Sequence, residues 1–225
     1  MKIGRCPIFI YKNKRISMSL STFITERLKI TSNTKSLSIK PTTKDELKDI
    51  IKDEFNRQGP DFDLNFIDVS GITDMSNLFE YYQIENIKID EWDVSNVTNM
   101  SHMFNKCDKF NIDLSSWGER VSNVTNMYQM FGNCRNFEGT GLDKWDVSNV
   151  TNMEHLFYNC SIFNCDLSRW DTSKVTNMSW MFVGCNSFKC DLSGWDVSNV
   201  TDYFETFNNC PKMRANRQLQ PKFTI

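Results

Sequence analysis

The chain has 225 residues, of which 40% are hydrophobic, 13% aromatic and 24% charged, which is ample for a folded protein. No apolar run approaches the roughly 18 residues that a membrane-spanning helix needs, so a transmembrane protein is not expected. The formal net charge of −2 hides an asymmetry. Residues 1–40 hold nine Lys or Arg and one acid, whereas the other 17 basic and 27 acidic residues give the rest of the chain a net charge of −10.

Residues 1–40 are predicted to form a basic, weakly ordered arm, because they are rich in Ser, Thr, Lys and Arg and show no clear periodicity. The apolar patch at 7–11 is too short and too closely flanked by charge for a secretory signal. We therefore expect an intracellular protein, with the surface of a cell or particle as the alternative. An organelle transit peptide also fits a segment with few acids and many Ser, Thr and Arg. Binding of an anionic partner through this arm is a further alternative, although nucleic acid is disfavoured because no motif or aromatic platform accompanies the charge.

Residues 41–61 predict a capping helix. Thr43 and Glu46 have the spacing of a capping box, in which each side chain satisfies a free backbone N–H at the start of a helix. Apolar residues then follow at helical intervals, and Gly59-Pro60 end the helix. We expect a helix over residues 43–57 whose apolar face covers the open end of the first repeat.

Six repeats of about 25 residues span residues 62–213, and residues 214–225 form a C-terminal tail. The clearest copies begin at tryptophans that lie 25, 28, 25 and 25 residues apart. Insertions at 118–120 and 138–141 explain the one long interval. Self-similarity at such a period is the signature of stacked repeats, in which equivalent residues form columns. The columns predicted for the core hold Leu or Ile at 64, 89, 114, 142, 167 and 192, together with Trp92, Trp117, Trp145, Trp170 and Trp195, and with Phe79, Phe104, Phe131, Phe157, Phe182 and Phe207.

Two periodicities alternate within each repeat. Around each Trp, apolar residues recur at every second position, which is typical of a short strand. The pattern that follows, Val-x-x-Met-x-x-Met/Leu-Phe-x-x-Cys, has steps of three and four residues and predicts a short helix. One short parallel strand and one short helix per repeat define an α/β solenoid of about six coils with an N-terminal helical cap.

The phrase Trp-Asp-Val-Ser-Asn-Val-Thr-Asn-Met at 92–100, followed by Met-Phe-x-x-Cys-x-x-Phe-Asn-x-Asp-Leu-Ser, resembles the BspA-type leucine-rich repeats of bacterial surface proteins, some protists and large DNA viruses. The resemblance covers residues 62–213. It implies a leucine-rich-repeat solenoid and, as in the bacterial members, adhesion to ligands on a host or neighbouring cell. Because neither a signal peptide nor a membrane or wall anchor is recognised, adhesion is kept as the alternative function.

Two cysteine positions recur in the repeats. Cys107, Cys134, Cys160, Cys185 and Cys210 share one, and Cys165 and Cys190 share the other. Their spacing admits a zinc site or stacked disulfides. Tyr82 and Ile112, however, occupy the same positions in other copies. Both positions are therefore interpreted as core positions, where buried thiols act as small hydrophobes, and neither a metal nor a cofactor is predicted.

Two polar positions also recur. His102 and His155 share a position with Asn77, Gln129, Trp180 and Glu205, so it is interpreted as solvent-facing. The Asn of each Asn-Val-Thr phrase is predicted to hydrogen-bond loop backbone groups; these residues are Asn96, Asn123, Asn149 and Asn199. No Ser-His-Asp set, phosphate-binding loop or metal-binding His pair occurs, so an enzyme is not expected.

The candidate binding surface is a column of aspartates just after the Trp position: Asp68, Asp93, Asp146, Asp171 and Asp196. A residue between two core residues of a strand points away from the core, and stacked like charges repel. The column therefore needs compensation from local backbone N–H groups and Ser hydroxyls, from a basic partner, or from calcium. The position just before each Trp varies and would supply selectivity. The predicted partner-binding residues are Glu91, Asp93, Lys144, Asp146, Arg169, Asp171 and Asp196.

Taken together, these patterns predict a non-enzymatic protein–protein interaction protein. The repeats offer a long regular surface, and no catalytic set is present. The alternatives are a surface adhesin or particle-surface protein, and a binder of nucleic acid or anionic membrane through residues 1–40.

Overall fold

The computed structural model describes residues 8–11, 14–17 and 38–223. The chain divides into two compact units, Met1–Ser38 and Ile39–Ile225. In the first unit, β1 (Ile8–Tyr11) and β2 (Lys14–Ser17) pair as an antiparallel hairpin. Apart from this hairpin and residues 38–40, the basic arm predicted over residues 1–40 lies outside the described residues.

The second unit begins with helix α1 (Lys44–Gln58), where the sequence predicts a helix over residues 43–57. Thr43 is its N-cap, and its hydroxyl accepts from the backbone N–H of Glu46 at 3.2 Å. The Glu46 carboxylate in turn accepts from the backbone N–H of Thr42 at 2.7 Å. These bonds satisfy N–H groups at the helix start that have no partner within the helix. The apolar face of α1 joins the core of the repeats through Leu47, Ile50 and Ile51.

From residue 62 onward, most of the backbone forms turns. β3 (Phe62–Asp63) pairs in parallel with β4 (Ile87–Lys88), and the short helix α2 (Pro211–Ala215) follows the last repeat. The 3₁₀ segments are Ser115–Val121, Leu142–Lys144 and Arg217–Leu219. Single parallel bridges join one equivalent position of successive repeats, occupied by Asp74, Asn99, Asn126, Asn152, Asn177 and Asp202.

The predicted architecture, an α/β leucine-rich-repeat solenoid of about six coils with one short parallel strand and one short helix per repeat, is wrong. In the described repeats, the strands are two residues long and occur only at β3 and β4, and turns replace the predicted helices. The backbone supplies the reason, because two positions of every repeat have φ between 48° and 75°. An α-helix needs negative φ throughout. The first position holds Asn77, His102, Gln129, His155, Trp180 and Glu205, and the second holds Tyr81, Lys106, Asn133, Asn159, Gly184 and Asn209.

Successive turns reproduce the residue spacing that suggested a helix. The Met100 carbonyl accepts from the Met103 N–H at 3.2 Å, and the Phe104 carbonyl accepts from the Cys107 N–H at 3.0 Å. Each of these bonds closes a four-residue turn. All four side chains are fully buried, so a series of turns gives the same three- and four-residue pattern of core residues as a helix.

Rows of backbone hydrogen bonds join each repeat to the next. At each of the five interfaces, four alternate N–H groups donate to carbonyls of the following repeat at 2.6–3.2 Å. In the second repeat the donors are Met100, His102, Phe104 and Lys106, and the acceptors are Asn126, Tyr128, Met130 and Gly132. In this row the N–H groups point toward the following repeat and the C=O groups toward the preceding one.

The Trp and Phe columns lie in the core. The five repeat tryptophans are at most 5% exposed. Each indole N–H donates at 2.8–3.1 Å to the carbonyl of the Leu or Ile that lies three residues before the preceding position of the Trp column. Neighbouring rings of the Phe column lie 5.4–5.9 Å apart, with interplanar angles of at most 19°. Each interface between repeats is therefore closed by ring stacking as well as by backbone bonds.

Both insertions lie within the second Trp interval, between Trp117 and Trp145. The first is absorbed by the 3₁₀ segment Ser115–Val121, whose backbone is kinked at Gly118, with φ 26° and ψ −115°. The second contains Gly141 at φ 91°, where an added Cβ would lie 2.2 Å from the backbone N of Ser115. A side chain at Gly141 would thus need the backbone to move.

Candidate interaction surfaces

The predicted aspartate column is held by local hydrogen bonds. We call Asp68, Asp93, Asp146, Asp171 and Asp196 the aspartate face. Each carboxylate accepts from the backbone N–H of the Ser two residues later, at 2.9–3.1 Å. This is an Asx-turn. Of the three kinds of compensation expected, the local one is thus present at every member.

These bonds also keep the carboxylates ionised. Hydrogen bonds from the hydroxyl and then the backbone N–H of the following Ser lower the pKa of Asp93 and of Asp171. The Ser70 hydroxyl, followed by the Lys40 ammonium, lowers the pKa of Asp68 to about 2. At neutral pH these members of the face therefore carry their full negative charge.

The variable residues predicted to give selectivity are also at the surface. Glu91, Lys144 and Arg169 are exposed next to buried tryptophans. Glu91 and Lys144 belong to non-adjacent repeats, because Ser116 occupies the position between them. The Asn prediction is confirmed: Asn96, Asn123, Asn149 and Asn199 each donate to a Ser carbonyl of the preceding repeat at 2.6–2.8 Å.

The cysteines lie where their thiols are shielded. Cys107, Cys134, Cys160 and Cys185 are fully buried, and each thiol donates to a Phe carbonyl of the preceding repeat at 2.9–3.0 Å. Burial raises the pKa of these thiols well above the ordinary value. All seven cysteines in the described part of the chain are free. Within the same residues, no group of three His, Cys, Asp or Glu is placed to hold a metal ion.

A second surface consists of aromatic side chains in five consecutive repeats. We call it the aromatic stripe: His102, Tyr128, His155, Trp180 and Phe204. Neighbouring rings are separated by 4.8, 6.0, 5.8 and 5.4 Å along the series. Phe204 is 61% exposed at one end, and the other four are partly exposed. The stripe is therefore a continuous apolar band that water can reach.

Carboxylates lie along the stripe. A Glu80 oxygen is 3.8 Å from Nδ1 of His102, and a Glu154 oxygen is 3.3 Å from Nδ1 of His155. Burial, which outweighs the nearby Glu154 carboxylate, lowers the pKa of His155. Burial and then the Glu154 charge raise the pKa of Tyr128. At neutral pH, His155 is thus a neutral ring beside an anionic group.

The sequence interpretation missed this stripe because it considered one repeat position at a time. The position of His102 also holds Gln129 and Glu205, so it looks unselective. The signal lies in two adjacent positions taken together. From the second repeat to the sixth, one of the two always holds a His, Tyr, Trp or Phe.

The fold and these surfaces define a stacked-repeat protein built from turns, with an acidic and an aromatic column on its exterior. The chain belongs to the family described as Mycoplasma protein of unknown function, DUF285, whose model matches residues 50–140 and 133–220. The chain matches no curated protein and no solved structure. Among the described residues, no helix has the length and apolar character that crossing a membrane requires.

Proposed function

We propose that the chain is a non-enzymatic protein-interaction protein that binds a partner along the aromatic stripe. The observation that carries this proposal is the stripe itself, which ends in Phe204 at 61% exposure. Exposed contiguous apolar patches commonly mark interaction sites. Aromatic residues are also enriched in the centres of protein–protein interfaces.

The aspartate face is the second candidate docking surface in this proposal. Each of its carboxylates already has a backbone partner two residues away, so its charge does not need an external cation for the fold to form. A basic partner docked there would meet the fixed aspartates and would be selected by Glu91, Lys144 and Arg169.

Site-specific photo-cross-linking in cells that produce the protein separates the two surfaces. A benzophenone amino acid replaces Tyr128 or Phe204 on the stripe, Lys144 beside the aspartate face, or the exposed Lys52 of α1 as a control. We expect adducts with another protein from the two stripe positions and none from Lys52. Adducts only from Lys144 would move the site to the aspartate face, and no adduct from either surface would refute a protein-interaction function.

Adhesion is a second candidate function, favoured by the resemblance of the repeat phrase to the BspA-type family. In this proposal the same exterior columns contact a ligand on another cell. Surface biotinylation of intact producing cells or particles tests it. Labelling of the chain together with known surface proteins would support adhesion, and labelling only after lysis would contradict it.

A further inference from the structure

We propose that the partner segment bound by the aromatic stripe is an extended peptide with Lys or Arg at alternate positions, an inference that rests on the proposed interaction function. Glu80 and Glu154 lie beside rings of the stripe, and Glu205, the residue after Phe204, belongs to the column that also holds His102 and Trp180. Among the described residues, none of the three forms an ion pair with Lys or Arg. The Glu80 and Glu154 carboxylates accept instead from the neutral side-chain amides of Asn105 and Asn177, at 2.8 and 3.0 Å. The uncompensated charge of the stripe is thus negative, which favours a cationic partner.

The backbone at the stripe restricts how a peptide can bind. The N–H groups of His102, His155 and Trp180 donate to the following repeat at 2.9 Å. The N–H of Gln129, which belongs to the column of His102, also donates to the following repeat at 2.9 Å. A peptide therefore cannot extend the ladder at this surface by pairing backbone groups, as it does in strand addition. Recognition has to come from side chains.

Side-chain recognition by rings and carboxylates suits Lys and Arg. Aromatic faces attract cations, and the long aliphatic stems of both residues can lie along apolar rings while the charged ends reach a carboxylate. In an extended peptide, alternate side chains on one face are about 6.6–6.8 Å apart. Ring centroids in the stripe are 4.8–6.0 Å apart. The long, flexible side chains of alternate Lys or Arg residues can therefore each reach one ring over several residues.

The protein contains one example of this chemistry within itself. The Lys106 ammonium lies 4.4 Å from the centroid of the Tyr81 ring and donates to the Tyr81 hydroxyl at 2.9 Å. Tyr81 is 61% exposed and belongs to the repeat before the one that contains His102. A lysine thus already lies on an exposed aromatic ring of the neighbouring repeat, and the stripe offers further rings without such a lysine among the described residues.

Calorimetric titration of the full chain with synthetic nonapeptides tests the inference. The probe alternates Lys and Thr, and two matched peptides carry Gln or Glu in place of every Lys. We expect the Lys peptide alone to bind, with an affinity that falls as salt is added. Glu154→Gln and Glu205→Gln should each weaken binding about two- to five-fold, and Phe204→Ala about five-fold or more.

Asp49→Asn, at an exposed carboxylate of α1 that belongs to neither surface, is the control and should leave the affinity unchanged. Equal binding of the Gln peptide would overturn the cationic character of the partner. A loss of affinity in Asp49→Asn with none in Phe204→Ala would show general attraction to an acidic protein and would overturn the site. If the Lys peptide fails to bind while the stripe still forms photo-cross-links, the partner class is wrong and the interaction function stands.

Discussion

Replacing Trp145 by Ala tests whether the stacked columns hold the repeats together. Trp145 is 4% exposed, its indole N–H donates to the Leu114 carbonyl at 3.1 Å, and its ring lies 6.1 Å from that of Trp117 at an interplanar angle of 17°. An aromatic side chain of this size buries roughly 200 Å², worth about 5 kcal/mol at about 25 cal/mol per Å². The surrounding side chains relax into part of the cavity left by Trp145→Ala and recover some of this burial free energy. We therefore expect the unfolding free energy to fall by about 3–5 kcal/mol.

Trp145→Phe separates the hydrogen bond from the packing. It keeps a ring in the column but leaves the Leu114 carbonyl without its donor, so a smaller loss of about 1–3 kcal/mol is expected. Arg169→Ala, at an exposed position just before the next Trp, should change stability by less than about 0.5 kcal/mol. Urea unfolding followed by circular dichroism measures all three against the parent. A Trp145→Ala protein that unfolds at the same urea concentration as the parent would refute the core position of the column.

Gln129 has φ 52°, so Gln129→Val should be less stable than Gln129→Asn by about 1–2 kcal/mol, and equal urea midpoints would contradict the left-handed assignment. The pKa of Asp68 is lowered, first by the Ser70 hydroxyl, to about 2. The stability from this carboxylate should therefore be complete above about pH 4 and be lost as the pH falls toward 2. The melting temperature of the parent should fall over that pH range, and it should fall less steeply in Asp68→Asn. A parent melting temperature that stays constant from about pH 5 to 2.5 would contradict this contribution of Asp68. Burial raises the pKa of the half-buried Cys165 only to about 11, so Cys165 should react with a thiol reagent long before the fully buried Cys134. Mass spectrometry of the labelled peptides would show this order, and simultaneous labelling would count against the buried column.

The capping helix and the core columns are accessible to sequence reasoning because they depend on short-range rules. The spacing of Thr43 and Glu46 identifies the start of a helix, and the period of the tryptophans identifies residues that stack. The local conformation between the columns is harder to predict. His102 and Lys106 adopt a left-handed conformation in which backbone bonds to the next repeat hold them, and a single repeat gives only a weak signal for it. The signal lies in the column, because the position of Lys106 holds Asn or Gly in four of the six repeats, and these residues favour the left-handed conformation. A three- and four-residue spacing cannot distinguish such turns from a helix.

The two candidate surfaces also differ in how far the sequence alone reveals them. The aspartate face repeats at a single position, so it is visible in the sequence, and its local Ser partners lie two residues away. The aromatic stripe crosses between adjacent positions, from His102 to Tyr128 and from Trp180 to Phe204. Its continuity depends on which side chains of successive repeats lie side by side. That information is present in the stacking of the repeats and is absent from any single repeat.

The one-way row of backbone bonds makes one face of the stack electrically polar. In an ordinary parallel sheet, N–H and C=O groups alternate in direction, and the net dipole is small. In this row, four peptide groups at each of five interfaces point the same way, and each peptide carries a dipole of about 3.5 D. Elsewhere at the same interfaces, some backbone N–H groups donate to the preceding repeat instead and oppose this dipole; they include those of Thr98, Thr125, Thr151, Thr176 and Thr201. The first repeat is therefore the negative end of this row and the last repeat the positive end. Lys40 and Lys44 bind Asp68 and Asp74 at that negative end, at 2.9 and 2.6 Å, which is where a cation is favoured.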